Sequence, residues 1–310
     1  MIILLLILLL ILLLLLNYNS NFSNITNIKG YSDLLQDTTT GYTSGGIPKI
    51  IIKTSWQIRT ELPIQMLDAL DKIKILNPDY QLYYFDDSEV EQFMRDYSSR
   101  AHDAYQKIIP GAFKADLFRV CVLEKYGGCY SDIGHIPEND TTFNEICGDA
   151  NVVLVNDTKK VTLFKTNIVN SSYRGIHNAL MCCTKNHPFF KLLVEKTCEN
   201  IENEYYGESA LDVTGPEMVG KQFNCYFSNI CNNINKNIMK YGYIDYNCKN
   251  CRVKILKFII KLPHLNTFFI SDSNNKILIR TKFDNYYNIM YTSKKQKHYG
   301  ELWKRRQIYN

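Results

Sequence analysis

Three side chains between Phe113 and Ile136 have the types and spacing to do chemistry. They are the carboxylates of Asp116 and Asp132 and the guanidinium of Arg119, set in FKADLFRVCVLEKYGGCYSDIGHI. Carboxylates hold cations or hydroxyls, and a guanidinium forks onto phosphate or carboxylate oxygens. Lys114 to Tyr126 carries Leu117, Phe118, Cys121 and Leu123 at near-helical spacing, which predicts an amphipathic helix. Gly127-Gly128 ends it, as glycine after a last turn commonly does. Cys129 to Ile133 then reads as a short buried strand. It delivers Asp132 to its end, where open α/β sheets bind ligands.

The pattern Ala115-Asp116-x-x-Arg119 followed by Gly127-Gly128-x-Tyr130-x-Asp132 resembles the sugar-nucleotide site of glycosyltransferase family 32. That family holds α-1,6-mannosyltransferases and inositol-phosphoceramide mannosyltransferases. Further stretches resemble it in the same order: Ile47-Pro48-Lys49, Asn77-Pro78-Asp79-Tyr80 with Asp86-Asp87, Asn178 before His187-Pro188, Thr214-Gly215-Pro216, and His298 to Trp303. The resemblance covers about residues 46 to 304. It implies a GT-A-type α/β fold with a central, mostly parallel sheet. It also implies transfer of a hexose, with retention, from a GDP- or UDP-linked donor to a glycan or glycolipid acceptor.

Carried over residue by residue, the resemblance implies that Asp116 holds donor hydroxyls and that Arg119 approaches the sugar phosphate. Lys53, Thr54, Tyr130, Asn178 and Trp303 become donor-binding candidates, with Trp56 beside the base. Asp212 becomes a catalytic or acceptor-site candidate, against the plainer reading of a turn-capping aspartate. The family usually reads Asp-x-Asp where this chain reads Asp132-Ile133-Gly134. The second aspartate normally ligates a divalent ion, Mn²⁺ or Mg²⁺, that neutralises the diphosphate, and a glycine has no ligand atom to offer. His298 in the closing loop is the first substitute ligand beside Asp132, then His135, then Glu301. Alternation on a strand turns His135 to the opposite face.

Elsewhere the periodicities predict a strand over 47–54, a helix over 63–76, a strand over 80–85 and a helix from Ser88 to Tyr97. The last rests on a capping box between Ser88 and Glu91. Strands at 152–155 and 161–164 follow, and His187 reads as a helix-opening residue rather than a ligand. Alternating strands and helices joined by short turns describe the start of a nucleotide-binding α/β half.

The 310 residues, 45% of them apolar, suffice for one substantial core. A net charge of +5 without a dense basic face gives no case for nucleic-acid binding. Ile2 to Leu16 is an unbroken apolar run, about 22 Å long as a helix against a hydrocarbon core of about 30 Å. It reads as a short uncleaved anchor, with a cleaved signal peptide as the alternative. Asn17 to Gly46 is polar and reads as a stem, so the expected division is 1–16 anchor, 17–45 stem and 46–310 transferase domain. Ten cysteines and sequons at Asn21, Asn24, Asn139, Asn156 and Asn170 suit a Golgi or ER lumen. Cys225, Cys231, Cys248 and Cys251 are either disulfides in a loop insertion or a zinc site, and Cys182-Cys183 reads as part of an apolar helix. Two other functions stay open: a transferase fold that binds sugar nucleotide without turnover, and a cysteine-stapled interaction module.

Overall fold

The computed structural model describes residues 28–37, 41–157, 175–228, 241–260, 267–292 and 298–310. The expected anchor, the strand at 161–164 and Cys231 lie outside those residues. Among the described residues no helix is long and apolar enough to cross a membrane.

The fold is α/β. Helix α1 (Tyr31–Gln36) precedes strand β1 (Ile50–Thr54), α2 (Ile64–Leu76), β2 (Gln81–Phe85), α3 (Asp87–Tyr97), α4 (Ser99–Lys107), α5 (Gly111–Tyr126) and β3 (Gly128–Ser131). Then come β4 (Ile136–Pro137), α6 (Phe143–Cys147), β5 (Val152–Asn156), β6 (Leu180–Cys183), α7 (Pro188–Glu202) and α8 (Pro216–Phe223). Strands β7 (Gly242–Tyr246), β8 (Cys251–Ile260), β9 (Phe268–Ser271) and β10 (Ile277–Arg280) lead to helix α9 (Tyr299–Lys304).

One sheet runs in the order β2-β1-β3-β6-β5-β8-β9-β10-β4, with β7 also on β8. The half expected to bind nucleotide is parallel: β1 pairs in parallel with β2 and with β3, Ile52 opposite Tyr130. Beyond β3 the sheet is mixed, because β6 runs antiparallel to β3 and to β5 while β5 and β8 run parallel.

Alternation along each strand sorts side chains onto two faces. On one face Phe85, Phe93, Phe118 and Tyr130 form an aromatic core under α3 and α5, with Phe93 and Phe118 edge to face at 5.4 Å. On the other, Cys129, Cys182, Tyr80 and Phe143 pack with α2 and α6. Gly128, at φ +87°, is required for this join. A side chain there would meet Ile50 at 2.2 Å, so only glycine lets β3 lie against β1.

Four local readings change. The cap of α3 is Asp86, which accepts from the N–H groups of Ser88 and Glu89, and Glu89 closes the box rather than Glu91. Cys182 and Cys183 lie on β6, because a four-residue apolar run is too short for periodicity to separate strand from helix. Residues 28–37, read as stem, pack on the fold: Lys29 bridges to Tyr83, and Tyr31 and Leu34 are buried. The segment read as an insertion supplies β8, whose β-branched residues fill the middle of the sheet.

Candidate active site

The C-terminal ends of β1 and β3, the start of α5 and the C-terminal segment enclose a cavity of about 630 Å³. Its wall includes Thr54, Trp56, Lys114, Arg119, Tyr130, Asp132, Tyr286, His298 and Tyr299. This is where parallel α/β sheets place ligands, because side chains and helix N-termini converge there.

Asp132 follows the last residue of β3, and its backbone N–H donates to Ala179 O at 2.8 Å. Its Oδ1 accepts from the Tyr130 hydroxyl at 3.0 Å and lies 3.4 Å from Arg119 Nη2. The Arg119 guanidinium sits over the Tyr130 ring, 4.7 Å from its centroid, and its Nε donates to Ala115 O. Three residues earlier on the same helical face, Asp116 Oδ1 lies 3.5 Å from Arg119 Nη1. Asp116 is filled by other donors: Asn178 Nδ2 on Oδ1 and Thr214 Oγ1 on Oδ2, each at 2.8 Å. Burial lifts the Asp116 carboxyl, while Arg119, Thr214 and Asn178 pull it down. A relay results. Asn178 and Thr214 fix Asp116, Asp116 fixes Arg119, and Arg119 with Tyr130 fixes Asp132.

Of the two carboxylates, Asp132 is the one open to the cavity. Its side chain is 37% exposed, against 11% for Asp116. Asp116 and Asn178 are absent from the cavity wall, and Asp116 contacts Asn178, Thr214 and Arg119 instead.

Helix α5 aims its first turn at the same cavity, which Gly111 and Ala112 line. First-turn N–H groups have no intrahelical acceptor and carry the positive end of the helix dipole. Lys114, over the Tyr105 ring at 4.5 Å, adds a cation that no motif in the sequence singles out. Burial lowers the Lys114 pKa, with Glu91 and Asp87 opposing. Helix terminus, Lys114 and Arg119 together make a place for phosphate oxygens.

The remaining expected residues divide. Thr54 lines the cavity with its hydroxyl already donated to Phe85 O at 2.8 Å. Lys53 is wholly buried beneath the strand end, donating to Asp132 O at 2.8 Å and to Ser131. Burial pushes its ammonium down to about 7, with the Asp132 charge opposing. Asp212 is buried away from the cavity, held by Lys221 at 2.7 Å, the Tyr205 hydroxyl at 2.9 Å and the Glu208 N–H, which fits the turn-stabilising reading. Trp303 donates to Tyr206 O, and the closing segment turns His298 and Tyr299 to the cavity in its place. His187 opens α7, its Nδ1 accepting from Phe189 N–H.

The ion that the resemblance implies has few protein ligands here. A Cβ on Gly134 would stand 2.8 Å from the Thr281 carbonyl oxygen and 2.8 Å from Tyr286 Cε2. The position of the second aspartate is therefore sterically closed. His135 is buried, bonded through Nδ1 to Ser131 Oγ at 3.1 Å, and burial holds it well below the usual imidazole range. Glu301 pairs with Arg305. On the cavity wall, Asp132 and His298 remain, but His298 Nδ1 accepts from the Gly300 N–H to cap α9, so the neutral ring carries its proton on Nε2 and offers the cavity a donor. Asp132 is then a single carboxylate for an ion that would arrive with substrate phosphates supplying most of its shell, as Mg²⁺-type ions often do.

Residues 63–153 match the family model described as a glycosyltransferase sugar-binding region containing DXD motif. This stretch is similar to a glycosyltransferase sugar-binding region. That region contains Asp116, Arg119, Tyr130 and Asp132, the relay described above. No curated protein matches the chain. Among solved structures, PaToxG glycosyltransferase is similar at 15% identity over 69% of this chain and 80% of that chain, with a TM-score of 0.44.

Proposed function

We propose that this protein is a glycosyltransferase that moves a hexose from a UDP- or GDP-linked donor to a glycan or glycolipid acceptor. The observation that carries the reading is the Asp116–Arg119–Asp132 relay beside the N-terminus of α5, inside the matched region. Glycosyl transfer leaves a diphosphate whose negative charge grows towards the transition state. Donors already oriented at that charge stabilise it without reorganising. Arg119 and Lys114 take the phosphate oxygens, and the first-turn N–H groups of α5 take what the cations leave. Asp132 orients the sugar end against Arg119, and Asp116 keeps the guanidinium from swinging away. Asp132 would hold a divalent ion, which supplies further neutralisation of the leaving diphosphate when bound, while His298 Nε2 donates to a phosphate oxygen. Retention of anomeric configuration is part of the proposal through the resemblance to family 32.

Binding without turnover is the second reading, and Gly134 favours it. Incubating the full chain in detergent with UDP- and GDP-sugars and Mn²⁺, scored by nucleotide release, separates the two. Donor binding with no release supports the second reading; neither binding nor release removes both. Asp132→Asn is expected to cost about 10²-fold in turnover, as loss of one preorganised contact does. Wild-type turnover in Asp132→Asn would overturn its assignment.

We also propose that the Ile2–Leu16 run anchors the chain in a secretory membrane with residues 46–310 in the lumen. Protease digestion of sealed microsomes tests this, and complete digestion without detergent refutes it.

A further inference from the structure

On the face of the sheet away from the aromatic core, three thiols converge from three separate elements. Cys129 lies on β3, Cys182 opposite it on β6, and Cys147 is the last residue of α6. All three are buried, and their sulfurs lie within 4.8 Å of one another. The Cys129 and Cys147 sulfurs are 3.4 Å apart, within reach of a thiol hydrogen bond.

We propose that Cys129, Cys147 and Cys182 form a structural site for a thiophilic d¹⁰ ion of the zinc class.

The geometry supplies three of the four ligands that such an ion usually takes. The centre of a triangle no wider than 4.8 Å lies within about 2.8 Å of each corner, and a zinc–thiolate bond is about 2.3 Å. Side-chain adjustment of a few tenths of an ångström closes the difference. Soft thiolates select such ions over Mg²⁺ or Ca²⁺, so this site and the donor cavity do not compete for one metal. Tyr130, next in sequence to Cys129, points to the opposite face, where it underlies Arg119.

The surroundings are unusual for thiols that merely fill space. Lys254 is buried, and its ammonium donates to Glu145 O at 2.8 Å. That ammonium would lie 3.8 Å from a Cβ on Gly148. Residues 145 and 148 flank Cys147, so a fixed positive charge stands at the edge of the cluster. Three thiolates and one divalent ion sum to a single negative charge, which that ammonium balances. Glu145 and Asp272 also lie within electrostatic reach of that ammonium, and a thiolate-bound ion would add one more negative charge beside it. The ion would cross-link β3, β6 and α6, and so brace from behind the strand that carries Asp132.

The test is metal content. The full chain, purified in detergent without chelator, is assayed by mass spectrometry for bound metal. Wild type and Cys121→Ala, which alters a buried thiol on the other face, are expected to hold about one zinc per chain. Cys147→Ser and Cys182→Ala are expected to hold less than about a tenth of that. Cobalt substituted for zinc should show sulfur-to-metal charge-transfer absorption of three-thiolate intensity, a readout on wild type that survives if the variants do not fold. The proposal is overturned if zinc-loaded wild type carries no stoichiometric metal. A disulfide joining any two of these cysteines overturns it as well. So does zinc that persists in Cys147→Ser but is lost in Cys248→Ala, which would locate the ion in the later cysteines.

Discussion

Gly134→Asp restores the spacing of the family motif on paper, and the structure predicts that it damages the protein instead. An added Cβ meets the Thr281 carbonyl oxygen and Tyr286 Cε2, both at 2.8 Å, whereas carbon contacts are comfortable at about 3.5–4.0 Å. One obstacle is backbone and cannot rotate away. Overpacking of this kind costs about 1–3 kcal/mol, so Gly134→Ala should lose about 2 kcal/mol. Aspartate adds a carboxylate against a carbonyl oxygen, and an unsatisfied buried polar group costs about 1–3 kcal/mol more. A chain of this size loses about 2 °C per kcal/mol. Melting of the full chain in detergent should therefore fall by about 4 °C for Gly134→Ala and about 8 °C for Gly134→Asp. Mn²⁺ titration should show no tightening in the aspartate variant. Adding Tyr286→Ala to Gly134→Ala removes one of the two obstacles and should recover about 1 kcal/mol as a coupling term. If Gly134→Asp melts with wild type and binds Mn²⁺ more tightly, the claim that the position is sterically closed is wrong.

Other outcomes follow from the same geometry. Asp116→Asn removes the charge that steadies Arg119 and sets an amide against Asn178 and Thr214, so stability should fall by about 1–3 kcal/mol together with kcat. A rise in donor KM with unchanged melting would instead place Asp116 on the donor. Asp212→Asn should lower stability through Lys221 and Tyr205 and leave kcat at the wild-type value; lost turnover at full stability would return Asp212 to the active site. Lys53 supplies a pH signature. Its ammonium is pushed down to about 7 by burial, against about 10.4 in the unfolded chain. Between those values the unfolded chain binds the extra proton, so stability should rise from about pH 7 to about pH 10, and Lys53→Met should flatten the rise. Equal slopes in denaturant titrations across that window would exclude the effect.

Local sequence was enough for the elements around the site. The spacing of Leu117, Phe118, Cys121 and Leu123 marks helix α5, the Gly127-Gly128 pair marks its end, and the short run after it marks β3. Those signals are local because a helix stripe, a positive-φ glycine and a strand each depend on near neighbours. They carried Asp116, Arg119, Tyr130 and Asp132 into one small region before any fold was known.

Which of these faces the ligand was not local. Asp116 is filled by Asn178 and Thr214, distant in sequence, and only the packed sheet brings them together. Lys53 reads like a donor contact at the end of a strand, yet the neighbouring β3 draws it under Asp132. Trp303 gives way to His298 and Tyr299 because α9 docks with its indole on Tyr206. The segment read as a cysteine-bearing insertion holds a central strand, since strand pairing depends on partners far along the chain. The three converging thiols come from positions 129, 147 and 182, with no motif spacing to announce them. Sequence therefore determined which chemical groups the strand end carries, because helix, turn and strand signals act over a few residues. Tertiary structure decided which of those groups are spent on one another, because a carboxylate or ammonium is satisfied by whatever the fold brings within about 3 Å.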